Sequence, residues 1–133
     1  MFPKTQYVLK ILWRGLTLRC PNCGKGRIYP GLFNLFKMEE TCPYCHVRYE
    51  RKFGESLGGM FINLPLVEVL SLGGYFLTQW LFAPPLAFQL TFWVTFNLAF
   101  VILFYRHSRS LWIAISYLTS GVYVDPDYEA PNT

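Results

Sequence analysis

Four cysteines carry the only strong chemical pattern in this 133-residue sequence. They stand as Cys20-Pro21-Asn22-Cys23-Gly24 and Cys42-Pro43-Tyr44-Cys45, with eighteen residues separating Cys23 from Cys42. Two thiolates two residues apart can turn onto one ion. Two such turns close a tetrahedron with Zn–S bonds of about 2.3 Å, and the separation falls in the range read as a four-cysteine zinc site. The expectation is one Zn²⁺ on Cys20, Cys23, Cys42 and Cys45. Proline stiffens each turn, and Gly24 can take a positive φ that aims backbone amides at sulfur. Three other chemistries use paired cysteines. Two disulfides suit an oxidising compartment, a rubredoxin-like site would hold iron, and thiol redox chemistry needs a thioredoxin-like helix start that does not follow either pair. His46, beside four thiolates, reads as a surface or second-layer residue rather than a ligand.

A second candidate is polar and lies in an apolar setting. Glu68 is the one charged residue between Met60 and Phe82. It falls roughly 12 Å into that run at about 1.5 Å per residue, where an ionised carboxylate is costly. In an antiparallel pair of helices turning at Pro84, Ser71 lies opposite Asn97 and Glu68 one turn away. The expectation is a Glu68, Ser71, Asn97 cluster inside the pair, with a contact to a partner's polar group or a proton relay as alternatives. No nucleotide loop, nucleophile motif or carboxylate pair in a catalytic setting is present, and an enzyme is not expected.

The elements that must position these residues follow from hydropathy. Met60–Phe82 and Leu86–Tyr105 are apolar on every face and each is long enough for a hydrocarbon core of about 30 Å, joined by Ala83-Pro84-Pro85. A chain this short has little else with which to wrap two such helices, so the reading is a transmembrane hairpin within residues 54–105. Ten of the twelve Lys and Arg residues precede the first run, Arg106 and Arg109 follow the second, and the turn has none. Both termini and the cysteines should then be cytoplasmic, in a multi-pass protein of the plasma (inner) membrane. The net charge of +4 is the sum of this basic face and an uncharged hairpin.

Ahead of the hairpin, polar residues at Gln6, Lys10, Arg14 and Thr17 oppose Val8, Leu9, Ile11, Leu12, Trp13 and Leu16. This predicts a cationic amphipathic helix within residues 1–18, lying in the headgroup plane or packed on a neighbouring domain, with Gly15 weakening its end. The stretch is too interrupted by charge for a signal-peptide core. Residues 19–53 read as a small zinc ribbon with short strands at Arg27–Phe33 and Val47–Phe53. Gly54, Gly58 and Gly59 mark a joint, and Pro65 and Gly73-Gly74 mark a kink and a small-residue contact face in the first span. Phe92, Phe96, Phe100 and Phe104 form a stripe suited to lipid or helix packing. Residues 106–133 read as an interfacial segment, Leu111–Leu118, and an extended tail from Thr119.

Taken together, Arg14-Gly15-Leu16, Arg19 to Gly26, Cys42 to Cys45 and Gly54-Glu55 entering an apolar hairpin resemble the bacterial DUF983 family. The resemblance runs to about Tyr117. It implies a cytoplasmic zinc ribbon fused to two spans, with no established activity. His46 stands where such members usually have Gly, and Gly54-Glu55-Ser56 where they tend to have a Gly-Asp-Gly-like turn.

The functional expectation is a membrane-anchored zinc-ribbon interaction protein, an accessory subunit or assembly factor of a larger integral membrane complex, with energy-converting complexes among the candidates. Its partners are the bilayer and that complex, with no small-molecule substrate. A thiol oxidoreductase or metal-delivery protein using the cysteine pairs is the alternative, distinguished by thiols that alkylate readily. Nucleic-acid binding through Lys25, Arg27, Lys37, Arg48, Arg51 and Lys52 is a third reading, against which Glu39, Glu40, Glu50 and Glu55 interrupt the patch.

Overall fold

The computed structural model describes residues 2–34, 36–50 and 54–121. Its elements are three helices, α1 (Phe2–Leu16), α2 (Met60–Phe82) and α3 (Leu86–Ser120), with a 3-10 turn, Glu55–Gly59, leading directly into α2. No strand forms among the described residues. The cysteine-bearing segment has only two isolated antiparallel bridges, Arg19 with Arg27 and Thr41 with Arg48. The expected strands are therefore absent over Arg27–Phe33 and 47–50, while 51–53 lie outside the described residues, as does the tail expected beyond Gly121.

The hairpin follows from its punctuation. Ala83 adopts φ 43°, ψ 51° and donates its amide to the Gln79 carbonyl, ending α2. Pro85 is extended and starts α3, where proline's missing N–H has no helical partner to lose. Two helices long and apolar enough to cross a membrane result. They meet along one seam. Asn63 Nδ2 donates to the Val101 carbonyl at 3.1 Å, Ser71 Oγ to Asn97 Oδ1 at 3.0 Å, and Gln89 Nε2 to Gln79 Oε1 at 3.1 Å near the turn. Gly74 lies under the Trp93 ring, which occupies the space a Cβ would need, whereas Gly73 faces open space. Outside the seam the large side chains are uncovered, with Phe61 77% and Trp80 82% exposed.

The main departure from expectation is the length of α3. It runs 35 residues, about 52 Å, without a break at Arg106. The segment expected to turn back along an interface, Leu111–Leu118, is instead part of the same helix as the apolar run before it. The physical reason is visible in the sequence, since no Gly or Pro falls between Pro85 and Gly121. This continuation is the surface on which the rest folds. Helix α1 crosses it where a Cβ on Gly15 would stand 2.7 Å from Ala114 Cβ, and Ser110 Oγ donates to the Gly15 carbonyl at 2.6 Å. Ile11 and Ala114 are buried in the contact. Gly15 is thus a close-approach position rather than a weak helix end. Leu9 and Trp13 point away from α3 and stay exposed.

Candidate metal centre

Each cysteine pair forms the same turn. The Gly24 amide donates to the Cys20 carbonyl at 2.9 Å, and the His46 amide to the Cys42 carbonyl at 2.9 Å. The fifth residue of each turn is left-handed, Gly24 at φ 71° and His46 at φ 57°. Histidine tolerates that region better than most side chains do, so it can hold the position that glycine holds in the first turn. The turns face each other, so that Cys20 Sγ lies 3.6 Å from Cys45 Sγ and Cys23 Sγ 3.6 Å from Cys42 Sγ. All four sulfurs fall within 4.8 Å of one another, and all four thiols are free.

This arrangement fits a metal ion. A tetrahedral site with bonds of about 2.3 Å has S···S edges of about 3.8 Å. Cys20 and Cys42 are wholly buried, at the centre of a small core with Ile28, Tyr29, Tyr49 and Ile113. Burial raises the thiol pKa of Cys20 and of Cys45. For Cys42 burial acts the same way, but the Tyr49 hydroxyl and the backbone amides of Tyr44 and Cys45 outweigh it and bring the pKa down to about 6. The Tyr49 hydroxyl makes no hydrogen bond of ordinary geometry among the described residues, so it acts by lying close to the sulfur. The Lys25 amide points at Cys23 Sγ across 3.5 Å. Donors aimed at sulfur favour the thiolate that ligation needs. Gly26 is equally necessary, because a Cβ there would collide with Cys42 Sγ.

The residues that hold this cluster are ones the sequence offered for other reasons. Arg14 of α1 donates from Nη1 to the Pro21 and Asn22 carbonyls at 3.0 and 2.9 Å, clamping the first turn. Tyr117 of α3 donates to Asn22 Oδ1 at 3.0 Å. Arg106 donates to the Leu32 and Gly31 carbonyls at 3.1 and 3.0 Å and lies over the Tyr29 ring, 4.7 Å from its centroid. Arg109 pairs with Glu50 at 3.4 Å. His107 Nδ1 donates to the Leu16 carbonyl at 2.9 Å, so it is a pin rather than a solvated residue. Arg106 and Arg109, read from sequence as a membrane-edge charge signal, also bind the loop between the cysteine pairs to α3.

The expected polar cluster within the hairpin is brought together only in part. Ser71 meets Asn97, but Glu68 is exposed and has no hydrogen-bond or ion-pair partner among the described residues. At about 100° per residue, Asn63, Ser71, Gly74 and Thr78 all fall within about 40° of Val67 around α2, whereas Glu68 lies about 100° away. It is on the flank of the hairpin.

A family model described as "Protein of unknown function (DUF983)" matches residues 33–117. The match takes in Cys42, Cys45, all of α2 and α3 as far as Tyr117, and begins after Cys20 and Cys23. No curated protein and no solved structure matches the chain.

Proposed function

The chain belongs to the DUF983 family, whose description carries no activity, and we propose from its own geometry that it is a membrane-anchored zinc-binding interaction protein, an accessory subunit or assembly factor of a larger membrane complex. The observation that carries the reading is the coupling of a closed four-cysteine cluster to an uncovered apolar hairpin through one unbroken helix, α3. The zinc serves structure. A segment with two isolated bridges and a core of a few side chains has little else to hold it, and metal-binding energy in such small modules is largely folding energy. The hairpin spans the bilayer, since its exposed Phe, Trp and Leu side chains would be costly in water. The three-residue turn leaves no domain on its side, and the cysteines, α1 and the cationic residues share the cytoplasmic side.

Thiol chemistry is disfavoured because all four sulfurs converge within 4.8 Å as one ligand set, with Cys20 and Cys42 buried and only Cys23 and Cys45 partly exposed. What the molecule offers is surface. The exposed α1 side chains Leu9 and Trp13, the flank bearing Glu68 and the Phe92–Phe104 stripe are available to other helices. Purification of the full-length protein from native membranes in mild detergent, followed by mass spectrometry, tests this. A membrane complex that co-purifies with wild type and is lost with Cys20→Ser supports the reading. Isolation of the wild type as a lone chain in a range of mild detergents contradicts it.

A further inference from the structure

A cavity of about 200 Å³ lies beside the first cysteine turn, at the level where α3 leaves its apolar run, and Thr17, Arg19, Arg27, Tyr29 and Arg106 line it. No carboxylate side chain is among its lining residues. Arg19 and Arg27 are directly opposed in an antiparallel bridge. The bonds on either side, Cys20 amide to Gly26 carbonyl and Ile28 amide to Leu18 carbonyl, make them the closer, non-hydrogen-bonded kind of pair. Like charges so placed destabilise a bridge. Neither arginine has a carboxylate partner among the described residues, and both are exposed.

Two buried donors add to them. Arg106 is 9% exposed and Tyr29 2%, and the Arg106 Nε–H and the Tyr29 hydroxyl have no acceptor among the described residues. Arg109 lies near that hydroxyl without forming a hydrogen bond of ordinary geometry. Buried donors are normally satisfied, and each one left alone is costly. Three guanidiniums and a phenol around one cavity, with no acid lining it, are the donor set for a tetrahedral oxyanion, while the Thr17 hydroxyl on its wall already donates to the Trp13 carbonyl at 2.9 Å.

The geometry points to a phosphate-binding site here, and its position at the end of the span makes the phosphate of an anionic phospholipid headgroup the expected source. The lipid source rests on the membrane-spanning reading. The donor set does not, and it is independent of the metal. Bound there, the phosphate would relieve the Arg19–Arg27 repulsion and fix the cysteine module against the bilayer surface.

The test uses full-length protein in neutral detergent, with phosphatidylglycerol and phosphatidylcholine as probes and inorganic phosphate as competitor, read by native mass spectrometry. Wild type should retain phosphatidylglycerol over phosphatidylcholine, and Arg19→Gln/Arg27→Gln should weaken that retention about tenfold or more. Lys4→Gln/Lys10→Gln, which removes the same charge from exposed α1 positions, should change it less than about twofold. Arg27→Gln alone should weaken it about fivefold. That single variant removes no hydrogen bond seen in the structure, so it keeps the test valid should the double variant lose its metal. Inorganic phosphate binding with the same arginine dependence and no lipid preference would support the site and assign it to a free phosphate, and it would do so even if the hairpin proved not to enter a bilayer. Retention unchanged by the arginine variants, or reduced equally by the lysine pair, would overturn the proposal.

Discussion

The Ser110 hydroxyl reaches the Gly15 carbonyl across 2.6 Å, joining the far half of α3 to the end of α1 where the two helices are closest. With Ala114 Cβ 2.7 Å from where a Gly15 Cβ would stand, any side chain at 15 must push the helices apart. Gly15→Leu should therefore cost about 1–3 kcal/mol. Hydrogen exchange should show α1 amides losing protection while those of α2 keep theirs. Unchanged α1 protection would mean that the helices do not pack this way.

The hairpin seam distinguishes adjacent glycines. Gly74→Leu must displace the Trp93 ring, whereas Gly73→Leu enters open space. The first should lower the thermal unfolding midpoint of the detergent-solubilised protein, by an amount corresponding to about 1–3 kcal/mol, and the second should leave it within about 0.5 kcal/mol. Equal effects would mean that the seam is rotated.

Ser71 and Glu68 should behave differently for the same reason. Ser71→Ala removes the bond to Asn97 and should destabilise the isolated protein by about 0.5–2 kcal/mol. Glu68→Leu should leave the isolated protein unaffected and weaken its association with the co-purifying complex. Loss of stability in isolated Glu68→Leu would place the carboxyl back in the hairpin.

A topology prediction rests on the three-residue turn. Reporter fusions at the two ends of the chain should give the same cytoplasmic signal. Opposite signals would mean that one of the two apolar helices does not cross.

Much of this arrangement was legible because it depends on local pattern. The cysteine pairs are fixed by spacing, the hairpin by two apolar runs and a proline turn, and the Ser71–Asn97 pairing by counting outward from Pro84. Tertiary placement was harder to read. Arg106-His107-Ser108-Arg109 looks like a membrane edge, but the absence of Gly or Pro beyond it lets α3 continue as one helix. The stretch between the cysteine pairs alternates enough to suggest strands, yet its Gly31 and Leu32 carbonyls are taken by Arg106 rather than by a neighbouring strand. Gly15 and Gly26 matter through what approaches them, which a linear sequence does not reveal. Glu68 lies within one turn of Ser71, but its angle around the helix takes it out of the seam.

Gly26 gives a sensitive probe of the metal centre. Gly26→Ala places a Cβ against Cys42 Sγ and should weaken metal retention in a chelator challenge without removing any ligand. Gly31→Ala, in the same segment but with open space around it, is the control and should retain metal as wild type does. Equal retention in both variants would mean that the two turns close with more room than the structure gives them.

The most direct measurement is the metal content of full-length protein purified without added metal. One zinc per chain is expected, and Cys20→Ser or Cys42→Ser should lose it and unfold the cysteine module while the helical hairpin remains. Stoichiometric iron, no tightly held metal, or an intact module after replacement of all four cysteines would contradict the account.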